Sequence, residues 1–182
     1  MSRAARFLLR LPAGLHQALQ RVAGEAGLSL NEYCVRRLAL SGAGIAAQPG
    51  AADVVARAAA VGGNALLGVI VYGSWARGSA AAESDVDVLM ILDRGRPLDR
   101  GLYRDWDSAP VTWGDRAVDP HFVHLPADGR ATGLWGEAAI DGVLLFEAGT
   151  RVSSTLAQVR RDIVAGRLVR RMAHGQPYWV AA

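Results

Sequence analysis

The chain contains no lysine, since all twenty of its basic residues are arginines. It has one cysteine, Cys34, and no apolar run long enough to cross a bilayer. The first absence excludes a lysine base or Schiff-base nucleophile, and the single cysteine excludes an intrachain disulfide. Arginines at positions 3, 6 and 10 interrupt any apolar region of a signal peptide. We therefore expect a cytoplasmic protein with no membrane association.

Charge is distributed unevenly along the chain. Residues 1–47 carry six arginines and two glutamates, and residues 151–182 carry six arginines and one aspartate. Residues 48–150, in contrast, carry eight arginines and fourteen acidic residues. An acidic centre between basic ends fits a metal site flanked by segments that face anions. A solvated helix face is the simpler interpretation of the carboxyl-terminal arginines.

The most informative segment lies between two apolar runs, at 65–72 and 88–92. It contains Gly73-Ser74 and Asp85-Val86-Asp87, an order that predicts strand, glycine turn, short helix and strand. Alternation places Asp85 and Asp87 on one strand face with Cα atoms about 6.5–7 Å apart. Two such carboxylates repel each other unless a cation lies between them, and their oxygens suit Mg²⁺.

The turn at Gly73-Ser74 can receive an anion on its backbone N–H groups and hydroxyl. A capped, solvated strand start is the simpler interpretation of Asp-x-Asp alone. A phosphate-sized turn beside two carboxylates, however, indicates nucleotidyl transfer.

These residues, with Arg77-Gly78 and Ser84, resemble the signature of the minimal nucleotidyltransferases of the DNA polymerase beta superfamily. The resemblance implies an α/β (α+β) core, with a mixed sheet flanked by helices. It also implies that Asp85 and Asp87 bind two Mg²⁺ ions, and that Gly73 and Ser74 hold the β- and γ-phosphates of an NTP, expected to be ATP. Arg77 would add a phosphate contact or remain a solvated helix arginine.

The resemblance further implies a third carboxylate on a later, neighbouring strand. Asp119 is the best candidate, in a strand-like run at 116–125 after a segment that we interpret as a loop. It would bind one metal ion and orient or deprotonate the attacking hydroxyl. Asp115 is the runner-up, in a turn beside Gly114. Pro120 departs from the expected pattern, because proline favours a sheet edge or a bulge.

Two histidines follow Asp119 on the same predicted strand. His121 shares the strand parity of Asp119, so it could face the site, whereas His124 should point the other way. We expect no metal role for either, because Mg²⁺ prefers oxygen ligands.

The amino-terminal segment predicts a second function. Residues 6–11 alternate as a strand, a helix begins at Pro12, and Ser29 with Glu32 forms a capping box for a second helix ending near Leu40. These elements are too small to enclose a core alone, so they need a second copy. The segment resembles the ribbon-helix-helix fold, especially the HicB-type antitoxin DNA-binding domain.

That resemblance implies a homodimer whose paired strands enter the major groove of operator DNA. Arg6, Leu8 and Arg10 would face the base edges. The alternative is an amphipathic hairpin that dimerises without contacting DNA. We accordingly divide the chain into an arm at 1–41, a linker at 42–52, and a nucleotidyltransferase domain at 53–182 that ends in a helix and a tail.

The carboxyl-terminal part predicts less about chemistry. We expect a hairpin at 138–147 that ends in a buried strand, a helix from Val152 to about Met172, and a tail at 174–179 that packs. Because only one helix and a tail follow the core, we expect a macromolecular acceptor, either a cognate toxin protein or an RNA. The two resemblances together imply that the chain is the antitoxin and autoregulator of a toxin–antitoxin pair. The alternative is a DNA-binding regulator whose core is catalytically silent and binds only nucleotide or a partner.

Overall fold

The computed structural model describes residues 10–11, 13–25, 29–31, 33–34, 43–46, 48–127, 133–173 and 176–182. The chain divides into two compact units, Met1–Ala39 and Leu40–Ala182. Among the described residues, no helix is long and apolar enough to span a membrane.

The first unit contains helix α1 (Ala13–Glu25), which confirms the helix predicted after Pro12. Residues 30, 31, 33 and 34 are also helical, and the Tyr33 N–H donates to the Ser29 carbonyl at 2.9 Å. Arg10 is exposed and, like Leu11, is in neither helix nor strand. Arg6, Leu8, Glu32 and most of the predicted ribbon strand lie outside the described residues.

The second unit contains most of the regular structure. Its helices are α2 (Ala43–Ala46), α3 (Pro49–Gly62), α4 (Gly73–Ala76), α5 (Arg100–Asp107), α6 (Leu134–Asp141) and α7 (Arg151–Val164). A 3-10 turn, Gly63–Ala65, follows α3. The strands are β1 (Leu66–Val71), β2 (Val86–Leu92), β3 (Thr112–Trp113), β4 (Arg116–His124), β5 (Val143–Glu147), β6 (Leu168–Ala173) and β7 (Gln176–Ala181).

The first five strands form one mixed sheet in the order β3-β4-β2-β1-β5. Strand β2 pairs with β4 in parallel, whereas the β1–β2, β1–β5 and β3–β4 pairs are antiparallel. Strands β6 and β7 form a separate antiparallel hairpin. The predicted mixed sheet flanked by helices is confirmed.

Both faces of the central strands are buried, which explains why they are almost continuously apolar. On one face Val88, Met90 and Leu92 pack with residues of α3 and α5, including Ala58 and Trp106. On the opposite face Leu89 and Ile91 pack with Trp135 of α6, Leu156 of α7 and Trp179 of β7. Asp87 has the strand parity of Leu89, so the second face carries the acidic end of β2.

Helix α5 corrects the prediction of a loop between β2 and the run at 116–125. Asp99 is its N-cap, and the Asp99 carboxylate accepts hydrogen bonds from the backbone of Gly101 and Leu102. Leu102 and Trp106 are buried in the first core face. Aspartate at an N-cap is the sequence signal for this helix.

Three other boundaries also differ from prediction. Helix α3 begins at Pro49, inside the predicted linker, because proline suits the first helical turn. The predicted hairpin at 138–147 is helix α6 followed by β5, so only its final strand is confirmed. The predicted helix to Met172 ends at Val164, because Gly166, with φ of 70°, turns the chain into β6. Residues 176–179 of the predicted tail lie in strand β7, and Trp179 is buried as expected of a packing role, whereas residues 174 and 175 lie outside the described residues.

Candidate active site

Asp87 and Asp119 lie side by side on neighbouring parallel strands. They are direct register partners in the β2–β4 ladder, and their pair directly follows the first pair, Val86 with Val118. Strand β3 pairs only with Arg116 and Ala117, so that side of β4 has no strand partner in the described structure beyond them. Pro120 is therefore tolerated within β4.

The glycine turn approaches the same carboxylate from β1. Gly73 has φ of 79°, a conformation that L-residues rarely adopt. A Cβ atom at this position would overlap Asp87 Oδ2. The Tyr72 N–H also donates to the Asp87 carbonyl at 3.1 Å. Position 73 therefore requires glycine both for its backbone conformation and for the close approach of Asp87, and half-buried Ser74 follows in α4.

Asp85 occupies a different position from the one predicted. It is exposed and directly precedes β2, which begins at Val86. The loop before it is held by Arg116, whose Nη1 donates to the carbonyls of Ala81 and Ser84 at 2.7 and 2.6 Å. Asp85 is still near enough for its charge to raise the pKa of Asp87. Asp115 lies in the turn between β3 and β4, as predicted.

His121 joins the two aspartates. Among the described residues, Asp87, Asp119 and His121 each offer a ligand atom within 4.8 Å of the others. His121 Nε2 lies 4.0 Å from Asp119 Oδ2, and its Nδ1 shares a 3.0 Å hydrogen bond with the Tyr72 hydroxyl. His124 points away, as predicted, and its Nε2 hydrogen-bonds the Arg96 carbonyl at 2.8 Å.

Burial and neighbouring charge perturb two groups at this site. Burial raises the pKa of Asp87, His121 opposes the rise, and the charges of Asp119 and Asp85 add to it. Burial, with the charges of Asp87 and Asp119, raises the pKa of the Tyr72 hydroxyl above its ordinary value. A carboxylate held near other carboxylates gains most from a bound cation.

The donor set fits a divalent metal ion. Two carboxylates and an imidazole converge, and Asp119 and His121 are partly open to solvent. Ligands about 2.1 Å from one ion lie at most about 4.2 Å apart, so a small closing of these side chains would complete the set. Asp85 lies outside this group of three, although it is close enough to influence Asp87.

Arg77 is engaged by acidic residues of α6. Its Nη1 lies 3.5 Å from both Glu137 Oε2 and Asp141 Oδ2. Glu137 also accepts from Arg170 Nε and from Trp179 Nε1, each at 2.9 Å. This cluster joins the end of α4 to the β6–β7 hairpin. Arg77 therefore has a third possible role, a structural ion pair, beside phosphate binding and simple solvation.

Tyr72, Arg116 and Glu137 are the site residues that the sequence reasoning missed. Tyr72 had a visible signal, because it is the one hydroxyl residue in the apolar run directly before Gly73. Arg116 and Glu137 act through partners 32 or more residues away in the chain. No local pattern indicates such pairs.

Two protein-family models each match a part of the chain. Residues 62–124 match the model of the nucleotidyltransferase domain, and this range includes Gly73, Asp87 and Asp119. Residues 4–38 match the HicB family. The segment that matches the nucleotidyltransferase model contains β1, α4, β2 and β4, the elements that assemble the site.

Two solved structures are similar to the chain. One is described as a toxin–antitoxin with AMP-PNP, at 19% sequence identity and a TM-score of 0.42. The other is a mutant of the toxin–antitoxin MntA-HpeT, at 17% identity and a TM-score of 0.41. Each alignment covers 63% of this chain and 90% of the other. No curated protein matches the sequence.

Proposed function

We propose that the protein transfers a nucleoside monophosphate from an NTP to a macromolecular acceptor and releases pyrophosphate. The single observation that carries this proposal is the direct pairing of Asp87 with Asp119, on a strand face reached by the Gly73 turn. The match of residues 62–124 to the nucleotidyltransferase domain supports it. The raised pKa of Asp87 supports a site that functions with a cation.

The residues of the chain divide into two roles in this proposal. Gly73 and Ser74 bind the β- and γ-phosphates, with ATP as the expected donor. Asp87, Asp119 and Asp85 hold Mg²⁺, expected as two ions, which when bound neutralises charge on the transferred phosphoryl group and on pyrophosphate. Asp119 also orients the acceptor hydroxyl and can take its proton. The buried Tyr72 contacts the site through its hydrogen bond with His121.

Arg77 is proposed as a further phosphate contact. Its two ion pairs, at 3.5 Å each, are long, and its side chain is 35% exposed. When NTP binds, the Arg77 guanidinium would leave Glu137 and Asp141 and pair with a phosphate group. A phosphate carries more negative charge than either carboxylate and can accept two parallel hydrogen bonds from arginine.

The acceptor is proposed to be a macromolecule. The Asp119 side chain is 52% exposed and that of His121 is 41% exposed. A hydroxyl on a large partner, either a protein side chain or an RNA end, can therefore reach Asp119 without entering an enclosed cavity.

The amino-terminal segment is proposed to bind operator DNA as a homodimer. Its match to the HicB family and the exposed Arg10 support this role. Arg6, Leu8 and Arg10 would read base edges, and the enzyme would act in the cytoplasm as an autoregulating antitoxin. The cognate toxin is then one of the two acceptor classes.

Incubation with each α-³²P-labelled NTP, Mg²⁺ and host lysate tests the proposal. Separate protein and RNA gels would show a labelled band and identify the acceptor class. The band should be absent with Asp87→Asn and present with Asp115→Asn, whose aspartate lies in the β3–β4 turn. No label with any nucleotide, despite measurable NTP binding, would favour the catalytically silent regulator.

A further inference from the structure

We infer that His121 is a metal ligand, positioned by Tyr72, and that it gives the site a preference for first-row transition ions such as Mn²⁺ over Mg²⁺. The inference concerns the metal of the proposed transfer site and so rests on the proposed function. It begins from strand parity: His121 follows Asp119 by two residues in β4, so both side chains leave the same sheet face.

The imidazole has the surroundings of a ligand rather than of a solvated surface histidine. Nδ1 is hydrogen-bonded to the Tyr72 hydroxyl at 3.0 Å, and the two rings meet edge to face with centroids 6.0 Å apart. Tyr72 is only 7% exposed, so its hydroxyl is a fixed partner. Metal-bound histidines typically have their second ring nitrogen held by such a partner. Nε2 is consequently directed toward Asp119, at 4.0 Å from Oδ2.

The third ligand changes the metal that suits the site. Carboxylates alone suit both Mg²⁺ and Mn²⁺, whereas an added imidazole nitrogen shifts the preference away from Mg²⁺ toward first-row transition ions. With Nδ1–H donating to the Tyr72 oxygen, the Nε2 lone pair is free to join Asp87 and Asp119 around one ion. These three residues are those whose ligand atoms lie within 4.8 Å of one another.

Mn²⁺ added to the full-length protein without nucleotide provides a direct test. Pulsed electron paramagnetic resonance should show ¹⁴N coupling from a directly bound imidazole. The coupling should disappear in His121→Gln and persist in His124→Ala, a matched control on the same strand whose ring bonds the Arg96 carbonyl. Absence of coupling in the wild type, or its persistence in His121→Gln, would overturn the inference.

Affinity measurements separate the roles of the two residues. His121→Gln should weaken Mn²⁺ binding more than Mg²⁺ binding, and Tyr72→Phe should weaken Mn²⁺ binding by about tenfold while keeping the ¹⁴N coupling. Unchanged Mn²⁺ affinity in Tyr72→Phe would remove the positioning role. Circular dichroism of each variant distinguishes lost binding from lost folding.

The same samples distinguish this inference from the proposed function. Nitrogen coupling without nucleotide transfer to any acceptor would leave His121 a ligand and contradict the transferase. Transfer that depends on Asp87, without nitrogen coupling, would support the transferase and contradict the role of His121.

Discussion

Gly73 lies against the Asp87 carboxylate so closely that a Cβ atom at position 73 would overlap Oδ2. The glycine turn and the aspartate strand are thus fitted to each other, although fourteen positions separate these residues in the chain. This contact explains why position 73 requires glycine on steric grounds alone, apart from any contact with phosphate.

Gly73→Ala should reduce both stability and transfer. The positive φ costs about 1–3 kcal/mol for a residue other than glycine, and the Asp87 carboxylate must also move. Gly78→Ala is the matched control, because Gly78 has φ of 73° but open space where its Cβ would lie. Thermal unfolding should show a loss in both variants, whereas labelled-nucleotide transfer should fall only in Gly73→Ala. Equal transfer by the two variants would contradict the importance of the Asp87 contact.

Asp87 should make the metal-free protein less stable as pH rises. Its folded-state pKa is raised, first by burial, so the folded chain holds this proton more tightly than the unfolded chain does. Stability is therefore lost as pH rises from the unfolded pKa of about 3.9 through the raised folded value. In EDTA, the fall in Tm over this range should be smaller for Asp87→Asn than for the wild type. Parallel Tm profiles would contradict the raised pKa.

Glu137→Gln should destabilise the second unit by about 1–2 kcal/mol, because it removes the charge that Arg77 and Arg170 share. The amide oxygen can still accept from Trp179, so the loss isolates the ion pairs. Asp105→Asn is the control, since its pair with Arg96 is 4.0 Å long and exposed and should contribute less than about 0.5 kcal/mol. Urea unfolding measures both. An equal loss of unfolding free energy in the two variants would show that the ion pairs of Glu137 contribute no more than an exposed pair does.

Arg10→Ala should weaken operator binding and reduce its dependence on salt, because one cation fewer faces the DNA. Arg100→Ala, in the second unit, should leave both unchanged. Fluorescence anisotropy with operator DNA at several salt concentrations measures the two slopes. Unchanged affinity in Arg10→Ala would contradict the ribbon assignment.

Local patterns predicted the elements that build the site. The strands β1 and β2, the short helix α4 and the strand carrying Asp119 follow from apolar runs, a glycine turn and period-two alternation. The prediction of a hairpin over part of helix α6 is wrong because four of the eight helix residues are buried, so the sequence lacks a clear polar face. The overlong helix at 152–172 arose because Leu168 continues the helical spacing, although Gly166 marked the end of the helix.

The arrangement of side chains around Asp87 was less predictable. Parity indicated that His121 could face Asp119, but the hydrogen bond between His121 and Tyr72 depends on the pairing of β1 with β2 and of β2 with β4. The position of Asp85 was also not predictable, because alternation alone does not show whether a strand begins at Asp85 or, as in the structure, at Val86. Contacts between residues that are distant in the chain could not be predicted from local sequence patterns.

The most direct test of the central claim compares Asp87→Asn, Asp119→Asn and Asp115→Asn in one transfer assay with labelled NTP and the identified acceptor. Because Asp87 and Asp119 are register partners at one site, either substitution should reduce transfer by at least about 100-fold, more than loss of an outer partner typically does. Asp115→Asn should retain wild-type transfer. Full activity in Asp119→Asn, with Asp87→Asn inactive, would contradict a shared site for the two paired carboxylates.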